Sequence, residues 1–423
     1  MIQTININSN INLHYIPMEK LKTTAVGIYI HRPLCEEDAS YNAVLPFVLK
    51  RGCALCDDSE AIAKYLENLY GASFGATVMK YGENQPIYFD AEVISDRYAP
   101  QNEPLLSDLL ELLLSVIFEP VTENGVFKTD ITEREKVNAL NKIEAEKNNK
   151  RQYASDRCQE EMCKGETYAV SRFGTREGVE KITAKNLYEY YKNIITSSVI
   201  DIYICGDTDI SLAEKKISEK ISSMQFEKAL LPKSELHITN GEVKNVTERM
   251  DVVQGKLSMG FTTSVKPGDA DFMALQVMNS VFGAGAHSKL FNNVREKLSL
   301  AYYASSQLIR YKGLLVVNSG IEFENFQKAY DEILIQLESI KNGEISDLEF
   351  DSSINALLNA FESLNDDQRA MQGYYMGEKL SGLEADIEAR KRELKSVTKA
   401  DVAAVAKKIK LDTVYFLAGK EEK

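Results

Sequence analysis

Histidine is scarce in this chain, and no two histidines lie four residues apart. His14, His31, His237 and His287 are scattered, which excludes a zinc site built from paired histidines on one helix face and leaves open only one assembled from distant histidines. Isolated histidines are more often surface or hydrogen-bonded core residues than ligands. Proline is also scarce, at nine, and with 44% hydrophobic and 27% charged residues no stretch reads as a long disordered segment. Positive charge is in deficit, 50 Lys and Arg against 63 Asp and Glu, for a net charge of −13. That balance excludes the concentrated basic face that nucleic acid or an anionic membrane requires. Long apolar runs are missing too: the longest, Leu109 to Phe118, is interrupted by Glu111 and is too short to cross a bilayer. The opening MIQTININSN has neither the basic start nor the apolar core of a signal peptide, so a cytoplasmic location is expected.

Six cysteines in 423 residues do not make a disulfide scaffold. Cys53 and Cys56 form a C-x-x-C, and Cys158 and Cys163 are five apart. Two readings stay open for these pairs: thiolates converging on a metal or a redox couple, or reduced thiols filling small apolar spaces.

The length suits about two to four domains, and the pattern suggests one unit built twice. Lys181–Asp207 (KITAKNLYEYYKNIITSSVIDIYICGD) resembles Lys395–Lys420 (KSVTKADVAAVAKKIKLDTVYFLAGK). In each, a threonine, Thr183 or Thr398, is placed to cap an amphipathic helix, and an alternating apolar strand then runs to Gly206 or Gly419. The starts of the halves also match: AVGIYI (25–30) and LSMGF (257–261) read as strands, each with one glycine. Residues 230–246, polar and marked by Pro232 and an Asn240-Gly241 turn signal, read as the linker between domains 1–229 and 247–423. Helices are predicted over 103–118, 132–150, 325–341 and 346–363. The element order in each half predicts an α+β fold, with a mostly antiparallel or mixed sheet and helices packed on one face.

The stretch 281–303, VFGAGAHSKLFNNVREKLSLAYY, carries the most chemistry. A loop with Gly283 and Gly285 leads into an amphipathic helix ending at Arg295, with Tyr302 seven residues on. A guanidinium fork and a phenol close together can grip a peptide carbonyl. An Arg capping a helix end and a Tyr filling a sheet face is the alternative for such residues.

The string Ser288-Lys-Leu-Phe-x-x-Val-Arg295-Glu-Lys-x-x-Leu-Ala-Tyr302, with its upstream glycines, resembles the C-terminal-half signature of the pitrilysin/insulinase family, which includes the mitochondrial processing peptidases. The resemblance covers essentially the whole chain. It implies two homologous α/β domains forming a clam-like chamber for peptides. Active members bear H-x-x-E-H on a first-half helix and a glutamate on a later one, binding zinc and activating its water. Counting back from Arg51-Gly52-Cys53 places Ala43, Pro46 and Phe47 at the His, Glu and His positions. A slip by one residue gives Asn42, Leu45 and Pro46. The third-ligand position falls on Lys142, with Asn141 or Glu144 reached by small shifts. None of Ala43, Pro46, Phe47 and Lys142 can serve zinc as the family requires, so no metal is expected in this chain.

The equivalent Arg and Tyr of similar members bind the substrate backbone and stabilise the oxyanion. The chain therefore resembles the inactive-type subunit of the two-chain bacterial peptidases, and the strings Gln152-Tyr-Ala-x-x-Arg157-Cys158-x-Glu-x-Met162-Cys163 and Gly165-Glu-x-Tyr168 point the same way. That resemblance implies a homologous H-x-x-E-H partner carrying the zinc, a peptide substrate lying extended near Tyr70–Lys80, and no role for nucleic acid or membrane. Homodimer formation in isolation is left open. Two other classes also stay open: a scaffolding protein without a proteolytic role, and a stand-alone hydrolase with an unrecognised metal site.

Overall fold

The computed structural model describes residues 2–101, 103–239, 241–384 and 386–420, so Asn240 of the expected turn lies outside the described residues. Neither of its two compact units is a single stretch of chain. One comprises Met1–Glu144, Val170–Lys233 and Leu364–Leu380; the other comprises Ala145–Ala169, Ser234–Ser363 and Ser381–Lys423. The 230–246 boundary follows chain order, whereas the units exchange residues 145–169 and 364–380.

The first unit is built on strands β1 (Gln3–Asn6), β2 (Ile11–Pro17), β3 (Thr23–His31), β4 (Ser73–Val78) and β5 (Ile87–Ile94). A small ribbon follows, β6 (Thr122–Glu123) with β7 (Val126–Phe127), and then β8 (Val199–Gly206) completes the main sheet. Its order is β1-β2-β8-β3-β5-β4, antiparallel except for the parallel β2–β8 pair. Alternation along the strands decides the core face: Val26, Ile28 and Ile30 of β3 join Ile200, Ile202 and Ile204 of β8 in one hydrophobic cluster. The helix Leu105–Phe118 covers this face and buries ten of its fourteen residues; each buried leucine contributes roughly 1.5–3 kcal/mol.

The second unit repeats the plan with β9 (Lys244–Met250), β10 (Gly255–Thr262), β11 (Ala301–Ile309), β12 (Leu314–Ile321) and β13 (Lys410–Gly419). The order is β11-β12-β10-β13-β9, again with one parallel pair, β13–β9. Strand β9 takes up the last residues of the expected linker, Lys244 to Val246.

The α+β class and the antiparallel-rich sheets are as the pattern predicts. Local signals also hold. Thr183 and Thr398 both cap helices in full capping boxes, with Asn186 and Asp401 as reciprocal partners. The predicted helices appear at Leu105–Phe118, Thr129–Glu146, Phe326–Lys341 and Asp347–Ser363. The second of these stops earlier than expected, because Asn149 caps a new helix, Lys150–Met162.

Each sheet also carries one helix on its opposite face, supplied by the exchanged segment. On the first, the helix Gln368–Leu380 lies across β3, with Gln372 Nε2 donating to the Ala25 carbonyl at 3.0 Å. A Cβ on Gly27 would stand 2.5 Å from Gln372 Oε1. On the second, the helix Lys150–Met162 packs across β10, and a Cβ on Gly260 would stand 2.7 Å from Met162 Sδ. The single glycine of each matched strand therefore marks the helix crossing.

The helix Gln368–Leu380 is anchored by a buried charge. Because β8 lies between β2 and β3, Asp201 sits between two histidines far from it in sequence. Its carboxylate is fully buried and meets Lys379 Nζ at 2.6 Å, Asn12 Nδ2 at 2.8 Å, His31 Nε2 at 3.1 Å and His14 Nε2 at 3.2 Å. Burial alone would raise its pKa, but the imidazoles and Lys379 together hold it well below the usual carboxylate range.

Candidate functional site

In the first unit, the positions matched to the zinc ligands lie on two helices. Ala43 and Pro46 are buried in Glu36–Leu49, and Phe47 is half-buried one residue further on. Lys142, on Thr129–Glu146, places its Nζ 3.3 Å from the centroid of the Phe47 ring. The fold thus brings together two positions read from separate parts of the sequence. Asn141 and Glu144, the alternatives to Lys142, are exposed, and Glu144 faces Arg176 at 3.5 Å. Asn42, the alternative on the first helix, holds Gln85 at 2.8 Å and accepts from Tyr190 at 2.7 Å.

This cluster does not fit a zinc ion. Ala43, Pro46 and Phe47 present no donor atom, and the Lys142 ammonium would repel a dication. Burial lowers the Lys142 pKa, partly offset by Glu135 two turns earlier. Glu135 is itself buried and fully engaged, with Arg51 Nη2 at 2.6 Å and Asn138 Nδ2 at 3.1 Å. A cation over an aromatic face contributes about 0.5–2 kcal/mol, more when desolvated, so the contact ties the two helices together.

In the second unit, Leu290–Lys297 is wound as a π-helix, with the Leu298 N–H reaching back five residues to the Asn293 carbonyl at 3.1 Å. Such segments recur at functional sites. Arg295 lies on its outer side, 41% of its side chain open, with the guanidinium 4.6 Å from the Phe291 ring centroid and Nε 3.5 Å from Glu296. Ser299, at φ 48°, turns the chain into β11. The pairing of β11 with β12 shifts register between Ala301 and Tyr303, so Tyr302 sits in a bulge on an edge strand. It is 55% exposed, and its hydroxyl donates to Glu322, which raises the phenol's pKa. Arg295 and Tyr302 thus stand on adjoining elements, each steadied by its own carboxylate.

His287, beside the glycine loop, is a packing residue: its Nε2 meets Ser280 Oγ at 3.1 Å and Ser353 Oγ at 3.0 Å. Tyr70–Lys80, where the resemblance implies that peptide lies, contains β4. Among the described residues β4 is an edge of the first sheet, paired with β5, and is preceded by Tyr70 and Gly71 at φ 58° and 77°.

A doubled α/β unit, with no zinc-ligating side chain at the positions the resemblance matches to the family's ligands, Ala43, Pro46, Phe47 and Lys142, defines the class: a peptidase-like protein. Residues 181–357 match the family described as "Peptidase M16 inactive domain". The chain is 35% identical over 414 residues to the "Probable inactive metalloprotease YmfF" of Bacillus subtilis (strain 168), a match that covers 98% of this chain and 97% of that protein. The chain belongs to the M16 peptidase family, as an inactive-type member. The crystal structure of a conserved protein from Enterococcus faecalis V583 is similar throughout, with a TM-score of 0.91 at 28% identity, covering 100% of this chain and 99% of that one. A peptidase M16 inactive domain from Pseudomonas fluorescens shares the fold, with a TM-score of 0.80 at 20% identity over 100% and 98% of the two chains. Among the described residues no helix is long and apolar enough to cross a membrane.

Proposed function

We propose that this chain is the non-catalytic subunit of a two-chain zinc metallopeptidase of the cytoplasm. A homologous partner bearing H-x-x-E-H brings the metal and the general base. This chain contributes Arg295 and Tyr302, which donate to the substrate carbonyl and to the oxyanion that develops from it. Peptide adds as an extra strand to the open edge of β4, where main-chain hydrogen bonds make little demand on sequence. The observation that supports the reading is the contrast between two sets of side chains: Lys142 lies over Phe47 at the positions the resemblance matches to metal ligands, while Arg295 and Tyr302 stay exposed on adjoining elements.

The test is to purify the chain from its native cells, identify what co-purifies, and assay peptide cleavage by the reconstituted pair. Neither cleavage by the chain alone nor a fall in binding of the partner is expected from Arg295→Ala; a fall in rate of about 100-fold or more is expected in the complex. Tyr302→Phe is expected to act in the same direction. Full activity with both substitutions would assign the chain a scaffolding role instead.

A further inference from the structure

Apart from the Arg295 face, the second unit holds a cluster of mixed sulfur, nitrogen and oxygen donors. Cys163, Glu166 and His237 each offer one ligand atom, and the three atoms lie within 4.8 Å of one another. Cys163 caps the helix Lys150–Met162 and is fully buried. Glu166 closes a turn upon it, its N–H 2.9 Å from the Cys163 carbonyl, through Gly165 at φ 94°. His237 arrives from a distant stretch without regular structure, held by its N–H to the Lys312 carbonyl at 2.9 Å.

The ring of His237 is oriented as a ligating imidazole is. Nδ1 faces Glu166, and Nε2 lies 3.4 Å from Asp412 Oδ2; a carboxylate on the far nitrogen is the usual support of a metal-bound histidine. Asp412 is held in turn by Thr413 Oγ1 at 2.7 Å. Behind Glu166, the buried Lys312 places Nζ 2.8 Å from the second carboxylate oxygen.

We propose that Cys163, Glu166 and His237 form a structural zinc site, with Asp412 and Lys312 as positioning residues. A thiolate, an imidazole and a carboxylate suit a borderline-soft ion that takes four ligands, the fourth being water. Tetrahedral bonds of about 2.0–2.3 Å set donors about 3.3–3.8 Å apart, so the hydrogen-bonded Nδ1 of His237 and carboxylate oxygen of Glu166 must move apart to that spacing, while Cys163 Sγ closes by no more than about 1 Å. Both ring nitrogens face carboxylates. On ligation the Cys163 thiol proton, and any proton on Nδ1, leave as the dication arrives. The ion would clip the stretch around His237 to the end of the helix. The site departs from the expectation that the chain holds no metal, and it separates the two cysteines considered as a pair: Cys158 faces the Ser258 and Thr413 carbonyls instead.

The test is a cobalt(II) titration of the untagged full chain, followed by electronic absorption and then by zinc competition. One equivalent should give a thiolate-to-cobalt charge-transfer band that zinc abolishes. Cys163→Ser should lose the band, Glu166→Gln should weaken binding about 10-fold or more, and Cys53→Ser should keep both. No band at one equivalent, or a band that survives Cys163→Ser, overturns the assignment. Should Cys163→Ser fail to fold, the thermal midpoint decides: zinc is expected to raise it in the unmodified chain and not in Glu166→Gln, and equal shifts overturn the site.

Discussion

Replacing Asp201 by asparagine tests how the exchanged helix is held. The substitution keeps the size of the side chain and removes its charge, leaving the Lys379 ammonium against an amide that can accept one bond but no longer balances it. Removing one partner of a fully buried pair costs about 3–5 kcal/mol. Lys379 is 28% exposed and can turn toward water, so about 2–4 kcal/mol is expected here, most of it in the first unit. The chain has no tryptophan, so urea unfolding is best followed by circular dichroism, with the midpoint falling and the slope unchanged. The pH dependence gives a second check. The folded pKa of Asp201 lies below its unfolded value near 3.9, so its contribution is fully present above that value and lost as pH falls through the folded pKa. The gap between the two proteins should therefore be constant near neutrality and narrow in acid. A change in stability under about 0.5 kcal/mol, or a gap that widens below pH 4, would refute the reasoning.

Three further substitutions probe the other contacts. Gly260→Val should overlap Met162 and destabilise the second unit by about 1–3 kcal/mol, with earlier proteolytic cleavage of the helix Lys150–Met162; unchanged proteolysis would show that this helix is held elsewhere. A double-mutant cycle of Lys142→Met and Phe47→Leu should give a coupling of about 0.5–2 kcal/mol by thermal unfolding, whereas additive effects would reduce the cation–ring contact to mere proximity.

What could be read along the chain was local or depended on side-chain identity. Thr183 and Thr398 cap helices because a hydroxyl three residues from an exposed N–H is a short-range arrangement. The doubled pattern and the helix spacing follow from the 3.6-residue and two-residue repeats. That Ala43, Pro46 and Phe47 offer no side-chain donor was equally plain, since alanine, proline and phenylalanine lack one in any conformation. The later helix was the harder one to match, and only the fold shows that its Lys142 lies over the Phe47 ring.

The remainder needed the packed fold. His14, Asp201 and His31 meet only because β8 enters between β2 and β3, and no local spacing encodes that order. The glycines at 27 and 260 were visible as breaks in two strands, but the helices crossing over them come from exchanged segments at a great distance in sequence. The Cys163–Glu166 spacing was a signal that could have been followed, yet His237 completes the cluster from a stretch with no periodicity of its own. The sequence by itself therefore determined the repeated α/β plan and the lack of a donor atom at Ala43, Pro46 and Phe47, because residue identity and short-range hydrogen bonding suffice for both. Tertiary structure alone decided which distant charges share one buried site, because only the order of strands in a sheet and the exchange of helices bring them within bonding distance.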